Sequence, residues 1–304
     1  VSRATMYDWF NTHIQLGLDE SALEERDYKL LTLEEQTVWN DEYPQPEGGE
    51  EHERALMQYF ANQSDKQIEQ LTPTDKNSWK EYQKIVRGAF RTLVHRDPPN
   101  FADLKREKVS KVAQPGYLLF KDKVRLQSKG EELPVISLVP TKTKWNRNVV
   151  IWVDGSGKKG LFDDSDMIKK EVLRLLEAGM SVVSADLFQQ GDFLSNDQPH
   201  QQQQVVKNSR EAAAFTFAYN DSLFVHRVHD LLTLLTWIRE NERQPQKVYL
   251  IGVNGAGPVA AAARATVGDQ IDAAAIDTQG FRFASLKSYR DPDFLPGAVK
   301  YGDL

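Results

Sequence analysis

Val248-Tyr-Leu-Ile-Gly-Val-Asn-Gly-Ala-Gly-Pro-Val-Ala260 decides the fold. An apolar run closes on a cluster of glycines and then opens an Ala-rich stretch, as expected of a strand that turns sharply into a helix. Two frames fit the turn. In the first, Gly252-Val-Asn-Gly-Ala-Gly257 is an elbow of the G-x-S-x-G kind, in which small residues let one strained side chain project above the sheet and aim the next amide at an oxyanion. The apex residue is then Asn254, whose carboxamide is no nucleophile. In the second, Gly255-Ala-Gly-Pro-Val-Ala260 matches the dinucleotide-binding G-x-G-x-x-A, with Asp277 20 residues past Gly257 where a ribose-binding acid would sit. Against this frame, Pro258 stands where amides must face a pyrophosphate.

Outward from this turn, strand and helix patterns alternate. Asn148 to Val153 ends in Asp154-Gly-Ser-Gly157, Met180 to Ala185 ends in Asp186, and Asp272 to Ile276 ends in Asp277-Thr-Gln-Gly280. Between them lie a helix over Asp166 to Ala178 and a buried helical stripe of Phe224, Val228, Leu231, Leu235 and Ile238. A βαβ series of this kind predicts a mostly parallel sheet with helices on both faces, and places chemistry at the carboxyl ends of its strands. Tyr117 to Phe120, Leu133 to Val139 and Asn148 to Val153 read as an antiparallel entry to that sheet. Residues 1–97 are helical in pattern and 98–304 form the α/β part, with Asp97-Pro-Pro-Asn100 between them. Ser21-Ala-Leu-Glu24 and Thr32-Leu-Glu-Glu35 read as capping boxes. Trp79, Tyr82, Val86, Ala89, Phe90 and Leu93 form a core-facing stripe. The run Gln201 to Gln204 reads as solvated loop.

Composition bounds the rest. The 304 residues carry 38 Lys and Arg against 44 Asp and Glu, a net charge of −6, with the basic residues scattered. Such a surface gives no support to a nucleic-acid or anionic-membrane partner. No apolar run is long enough to span a bilayer. There is no cysteine, which excludes disulfides, thiolate metal sites and a cysteine nucleophile.

The order of these elements, with Asp154-Gly-Ser-Gly157, Ala185-Asp186, the helix containing Phe224-Val-His-Arg-Val-His-Asp230, and Leu250-Ile-Gly-Val-Asn-Gly-Ala-Gly257, resembles an α/β-hydrolase. More narrowly, it resembles the acetyl xylan esterase-like proteins, relatives of dienelactone hydrolase and prolyl oligopeptidase catalytic domains, over Tyr117 to Leu304. The resemblance makes Asn254 the nucleophile position and Gly155, Ser156 and Gly255 the oxyanion-like positions. It implies a catalytic acid and histidine on later loops, and this sequence has no histidine after His229. The expectation is a catalytically degenerate domain without its last strands, a structural or binding accessory to an active hydrolase domain or to another copy of itself. Met6 to Leu18 is similar to the closing helix of such a domain, which implies a tandem arrangement. A carbohydrate ester as ligand and an extracytoplasmic place are further implications.

Other groups of residues carry weaker signals. An active ester hydrolase would need an unrecognised nucleophile, for which Ser156 is the nearest candidate. Asp186, Tyr219 and Asp277 are candidates for a cleft at the strand ends, as are the aromatics Trp152, Phe281 and Phe283. His226, His229 and Asp230 have helical spacing suited to a metal, but no third ligand is evident, so no metal and no cofactor are expected. Asp163-Asp-Ser-Asp166 reads as acids favouring the amino end of the next helix. Asp277 reads as a cap on its own turn.

Overall fold

A computed structural model describes residues 2–195, 200–241 and 243–301. By contacts the chain divides into two compact units, Val1–Gln58 and Tyr59–Leu304. The expected division at 97/98 marks a change of pattern. By packing, the unit that holds the sheet begins earlier, because a helix ahead of Asp97 enters its core.

The first unit contains α1 (Ser2–His13), α2 (Glu20–Leu23) and α3 (Leu33–Gln36), none of which buries a residue. The Thr32 to Glu35 capping box forms, with each side chain bonded to the other residue's amide. The box expected at Ser21 does not: α2 starts at Glu20, so Asp19 takes the cap position and Ser21 lies inside the first turn. Met6, Trp9 and Phe10 of α1 are exposed. Helix α4 (Gly49–Gln70) crosses the division between units.

The second unit continues with α5 (Lys76–Val94), which Asp75 caps by accepting from the amides of Asn77 and Ser78. Its stripe faces the core only in its later turns: Ala89, Phe90 and Val94 are buried, while Trp79 stays exposed and stacks on Tyr82. Then come β1 (Leu104–Gln114), β2 (Tyr117–Leu126), β3 (Glu131–Pro140) and β4 (Asn148–Asp154). Helix α6 (Lys170–Glu177), β5 (Ser181–Ala185), the short α7 (Ala214–Phe217) and α8 (Leu223–Glu240) follow. The described chain continues through β6 (Lys247–Val253), α9 (Gly257–Val267) and β7 (Ala273–Ile276). Residues 302–304 of the expected 98–304 domain lie outside the described residues.

The seven strands form one sheet in the order β1-β2-β3-β5-β4-β6-β7. β4, β5, β6 and β7 run parallel, and β1, β2 and β3 make the antiparallel entry. Asn148 to Val153, expected in the entry, instead lies between β5 and β6 as a central parallel strand. The third entry strand is β1, whose mostly basic charges hide its periodicity; such charges suit a sheet edge, where they deter pairing with other chains.

Alternation along β4 sorts its side chains into two cores. Val149, Ile151 and Val153 face one layer, with Phe224, Val228 and Leu235 of α8, Val259 and Ala263 of α9, and Phe90 and Val94 of α5. Val150 and Trp152 face the other, with Val172 and Leu176 of α6. The parallel part of the sheet therefore has helices on both faces, as expected. Helix α8 is buried well beyond a single stripe, His229 included.

One glutamine of the 201–204 run is structural, contrary to the solvated loop expected. Gln203 is buried: its Nε2 donates to the carbonyls of Tyr289 and Asp291 at 3.0 and 2.8 Å, and its Oε1 accepts from the Leu223 amide at 2.9 Å. It fastens the segment after β7 to the amino end of α8. In that segment burial pushes the Asp293 carboxyl up from its ordinary 3.8 to about 6, with the Arg227 guanidinium opposing the shift. Between these two values the folded state binds more protons at this group than the unfolded chain does, so its contribution to stability falls as pH rises through the window. In urea unfolding, the stability of Asp293→Asn relative to the parent should therefore grow from pH 4 to pH 6; a difference independent of pH would contradict this burial.

Candidate functional site

The carboxyl ends of β4, β5 and β6 meet at the elbow. β6 ends at Val253, and Asn254 adopts a left-handed conformation with φ 52° before Gly255 at φ 85° leads to α9. Asparagine is among the few residues with a side chain that tolerate this region, so the backbone alone is a reason to find it at the apex. The glycines around the turn permit close approach. A Cβ on Gly252 would strike the Ala260 side chain, and one on Gly155 would strike the Asn254 carbonyl oxygen. The loop after β4 thus packs directly on the elbow.

Asn254 itself is exposed, but its amide is engaged. Nδ2 donates to Asp154 Oδ1 at 2.8 Å and to Ser156 Oγ at 3.2 Å. Asp154 is 2% exposed, at the last position of β4. Its Oδ1 also accepts the Ser156 amide at 2.9 Å, and Lys169 Nζ lies 3.9 Å from Oδ2. The Ser156 amide, expected as an oxyanion-like donor, is therefore turned down onto a carboxylate. Gly155 offers its carbonyl to Gln190 Nε2 at 3.2 Å, while the Gly255 amide has no acceptor among the described residues. Ser156 Oγ has as its partner a carboxamide nitrogen, which cannot take a proton from it.

Asp186 does not line an open cleft. It is fully buried one strand over, and accepts from the Lys158 amide at 2.9 Å, from the Asp192 amide at 2.9 Å and from Lys158 Nζ. Lys158 also pairs with Asp192 at 2.6 Å. Gly157 and Gly191 lack side chains where a Cβ would strike this carboxylate. The Gly155-Ser-Gly-Lys158 loop is shaped around an anion of the chain's own.

Asp277 caps its own turn, accepting from the Gln279 amide at 2.9 Å. The fingerprint glycine Gly257 packs against the Asp277 carbonyl, where a Cβ would clash, so the approach that a pyrophosphate would need is used inside the chain. Tyr219 is 91% exposed and builds no cleft wall. Trp152 and Phe283 belong to the core, and Phe281 packs against it. Asp163 closes a turn on the amides of Ser165 and Met167, well short of α6, so those acids do not flank the helix end. A cavity of about 550 Å³ lined by Trp145, Trp237 and Arg106 includes Val149 and Ser181. These two residues stand at the opposite, amino ends of β4 and β5.

Sequence reasoning missed the roles of Asp154 and Lys158. They flank the Gly155-Ser-Gly157 turn that it singled out, and only the fold shows that Asp154 is buried and that Lys158 is largely covered. Because Lys158 compensates a fully buried carboxylate, Lys158→Met should cost about 3 kcal/mol in chemical denaturation. A loss under about 0.5 kcal/mol, the range of ordinary surface changes, would contradict the pairing.

No protein-family model and no curated protein sequence matches the chain. Solved structures do. A candidate acetyl xylan esterase from Bacteroides fragilis superposes with a TM-score of 0.50 at 14% identity, over 65% of this chain and 53% of its own. Acetyl xylan esterase 1 from a Thermoanaerobacterium species gives 0.38 at 16% identity, over 66% and 57%. A glucuronoyl esterase from Solibacter usitatus gives 0.43 at 11% identity, over 66% and 59%. The chain spans a little over half the length of these proteins. At such identities the likeness is one of fold, and the fold of this chain is α/β-hydrolase-like, of the kind found in acetyl xylan esterases.

Proposed function

We propose that this chain is a catalytically silent α/β-hydrolase-like module of a carbohydrate-esterase-like protein, serving as a structural or binding accessory to an active hydrolase domain. The observation that carries the reading is Asn254 at the apex of the elbow, with its amide bonded to Asp154 and Ser156. Acyl transfer needs a nucleophile, a base within hydrogen-bond reach and donors aimed at the developing oxyanion. Here the apex has no nucleophile, the nearest hydroxyl has no base, and one expected donor is bonded to a carboxylate.

The partner in this proposal is another hydrolase domain or a second copy of this chain. β7 pairs with β6 alone among the described strands and exposes Ala273, Ala274 and Ala275, a sheet edge open to addition. A carbohydrate ester as the ligand class and an extracytoplasmic place belong to the same proposal, and their support is the fold likeness to acetyl xylan esterases. No helix among the described residues is long and apolar enough to cross a membrane.

Treatment with a fluorophosphonate probe, followed by intact-mass measurement, should leave the protein unlabelled. Hydrolysis of p-nitrophenyl acetate should not exceed that of an equal concentration of Ser156→Ala. A stoichiometric adduct on Ser156, with turnover lost in Ser156→Ala, would overturn the proposal in favour of an active esterase.

A further inference from the structure

Helix α8 carries two histidines that neither core packing nor the elbow accounts for. His226 and His229 are three residues apart and so share one face. Asp221 lies just before Ser222, the N-cap of the helix. One carboxylate oxygen of Asp221 and one ring nitrogen of each histidine lie within 4.8 Å of one another. Asp230, the acid that sequence spacing suggested, turns away to accept the Phe188 amide at 2.6 Å.

From this arrangement we infer that Asp221, His226 and His229 form a binding site for a divalent transition metal, with zinc as the ion that the donor set suits. His229 is 1% exposed, and its Nε2 is 2.7 Å from the Val94 carbonyl oxygen. A carbonyl only accepts, so Nε2 carries the proton and Nδ1 holds a bare lone pair. That Nδ1 is buried with no hydrogen-bond partner. An unpaired buried polar atom is costly, and a metal bond would satisfy it. With Nδ1 as the ligand atom, the Val94 carbonyl on Nε2 would orient the imidazole, as a carbonyl on the other ring nitrogen usually does for a metal-bound histidine.

The other two donors are prepared in the same way. Neither ring nitrogen of His226 has a hydrogen-bond partner among the described residues, and the ring leans on Phe188 at 5.0 Å. His95 Nε2, from the C-cap of α5, is 3.1 Å from Asp221 Oδ1 and holds that carboxylate in place. Burial lowers both imidazoles, His229 to about 4. Two nitrogens and one oxygen make a three-ligand set typical of zinc with a fourth position open. Bonds of 2.0–2.1 Å in tetrahedral geometry put donors about 3.4 Å apart, so the partly buried side chains of Asp221 and His226 would have to turn inward on binding. A bound ion would tie the residue before the N-cap of α8 to the first two turns of that helix.

The test uses protein stripped with EDTA and dialysed, titrated with zinc chloride against a chromophoric chelator. One equivalent should bind, and saturating zinc should raise the melting temperature in a concentration-dependent way. His226→Gln and Asp221→Asn, each checked for an intact melt without metal, should weaken binding about 100-fold or more, and His95→Gln about 10-fold. His200→Gln, at an exposed loop histidine, should leave it unchanged. Absence of stoichiometric binding, unchanged parental affinity in His226→Gln or Asp221→Asn, or as great a loss in His200→Gln would overturn the inference. None of these results bears on the silent-hydrolase reading, which rests on Asn254.

Discussion

Two carboxylates buried at the ends of adjacent strands govern the top of this sheet. Asp154 closes β4 and Asp186 follows β5, and neither side chain is more than marginally exposed. A buried charge is tolerated only with donors around it. The loops that bear on the elbow supply those donors: the Ser156 amide and the Asn254 carboxamide for Asp154, and the Lys158 amide and ammonium with the Asp192 amide for Asp186. The glycines at 157, 160 and 191 are where a side chain would collide with one of these carboxylates. The strand ends that an α/β-hydrolase-like fold offers to a substrate are thus largely occupied by the chain's own hydrogen bonds.

Asn254 belongs to the first of these two networks. It keeps the left-handed backbone of an elbow, so the geometry of the strand-to-helix turn survives. Its side chain faces back to the sheet, joining the ends of β4 and β6. In a working hydrolase the apex residue must be free to attack and the neighbouring amides free to receive negative charge. A residue that serves as a donor to a buried carboxylate serves stability and does not serve that chemistry.

The fold was legible in the sequence where periodicity and glycine punctuation coincide. The elbow, β5, β6, β7 and α8 read directly, because apolar runs with glycine punctuation point to buried elements and tight turns, whereas β4 was found as a strand but placed in the antiparallel entry. β1 did not, because its alternation is drowned by basic side chains suited to an edge. The site was legible as positions and not as contacts. Asp186 and Asp277 lie at strand ends, where acids often act, yet burial in one case and a local cap in the other give them structural work. Gln203 looked like one glutamine among several, and its buried contacts are with residues more than 80 positions away as well as with Leu223. Asp221 was invisible for another reason. It lies ahead of the helix on which the spacing of His226 and His229 was read, and only the turn before Ser222 brings it to them.

The central claim is that the carboxamide at the elbow is held there by the carboxylate beneath it. A double-mutant cycle between Asn254→Ala and Asp154→Ala, read by chemical denaturation, measures that link most directly. A hydrogen bond to a charged, buried acceptor predicts a coupling of about 1.5 to 3 kcal/mol. A coupling of zero, with the two losses simply additive, would contradict the account.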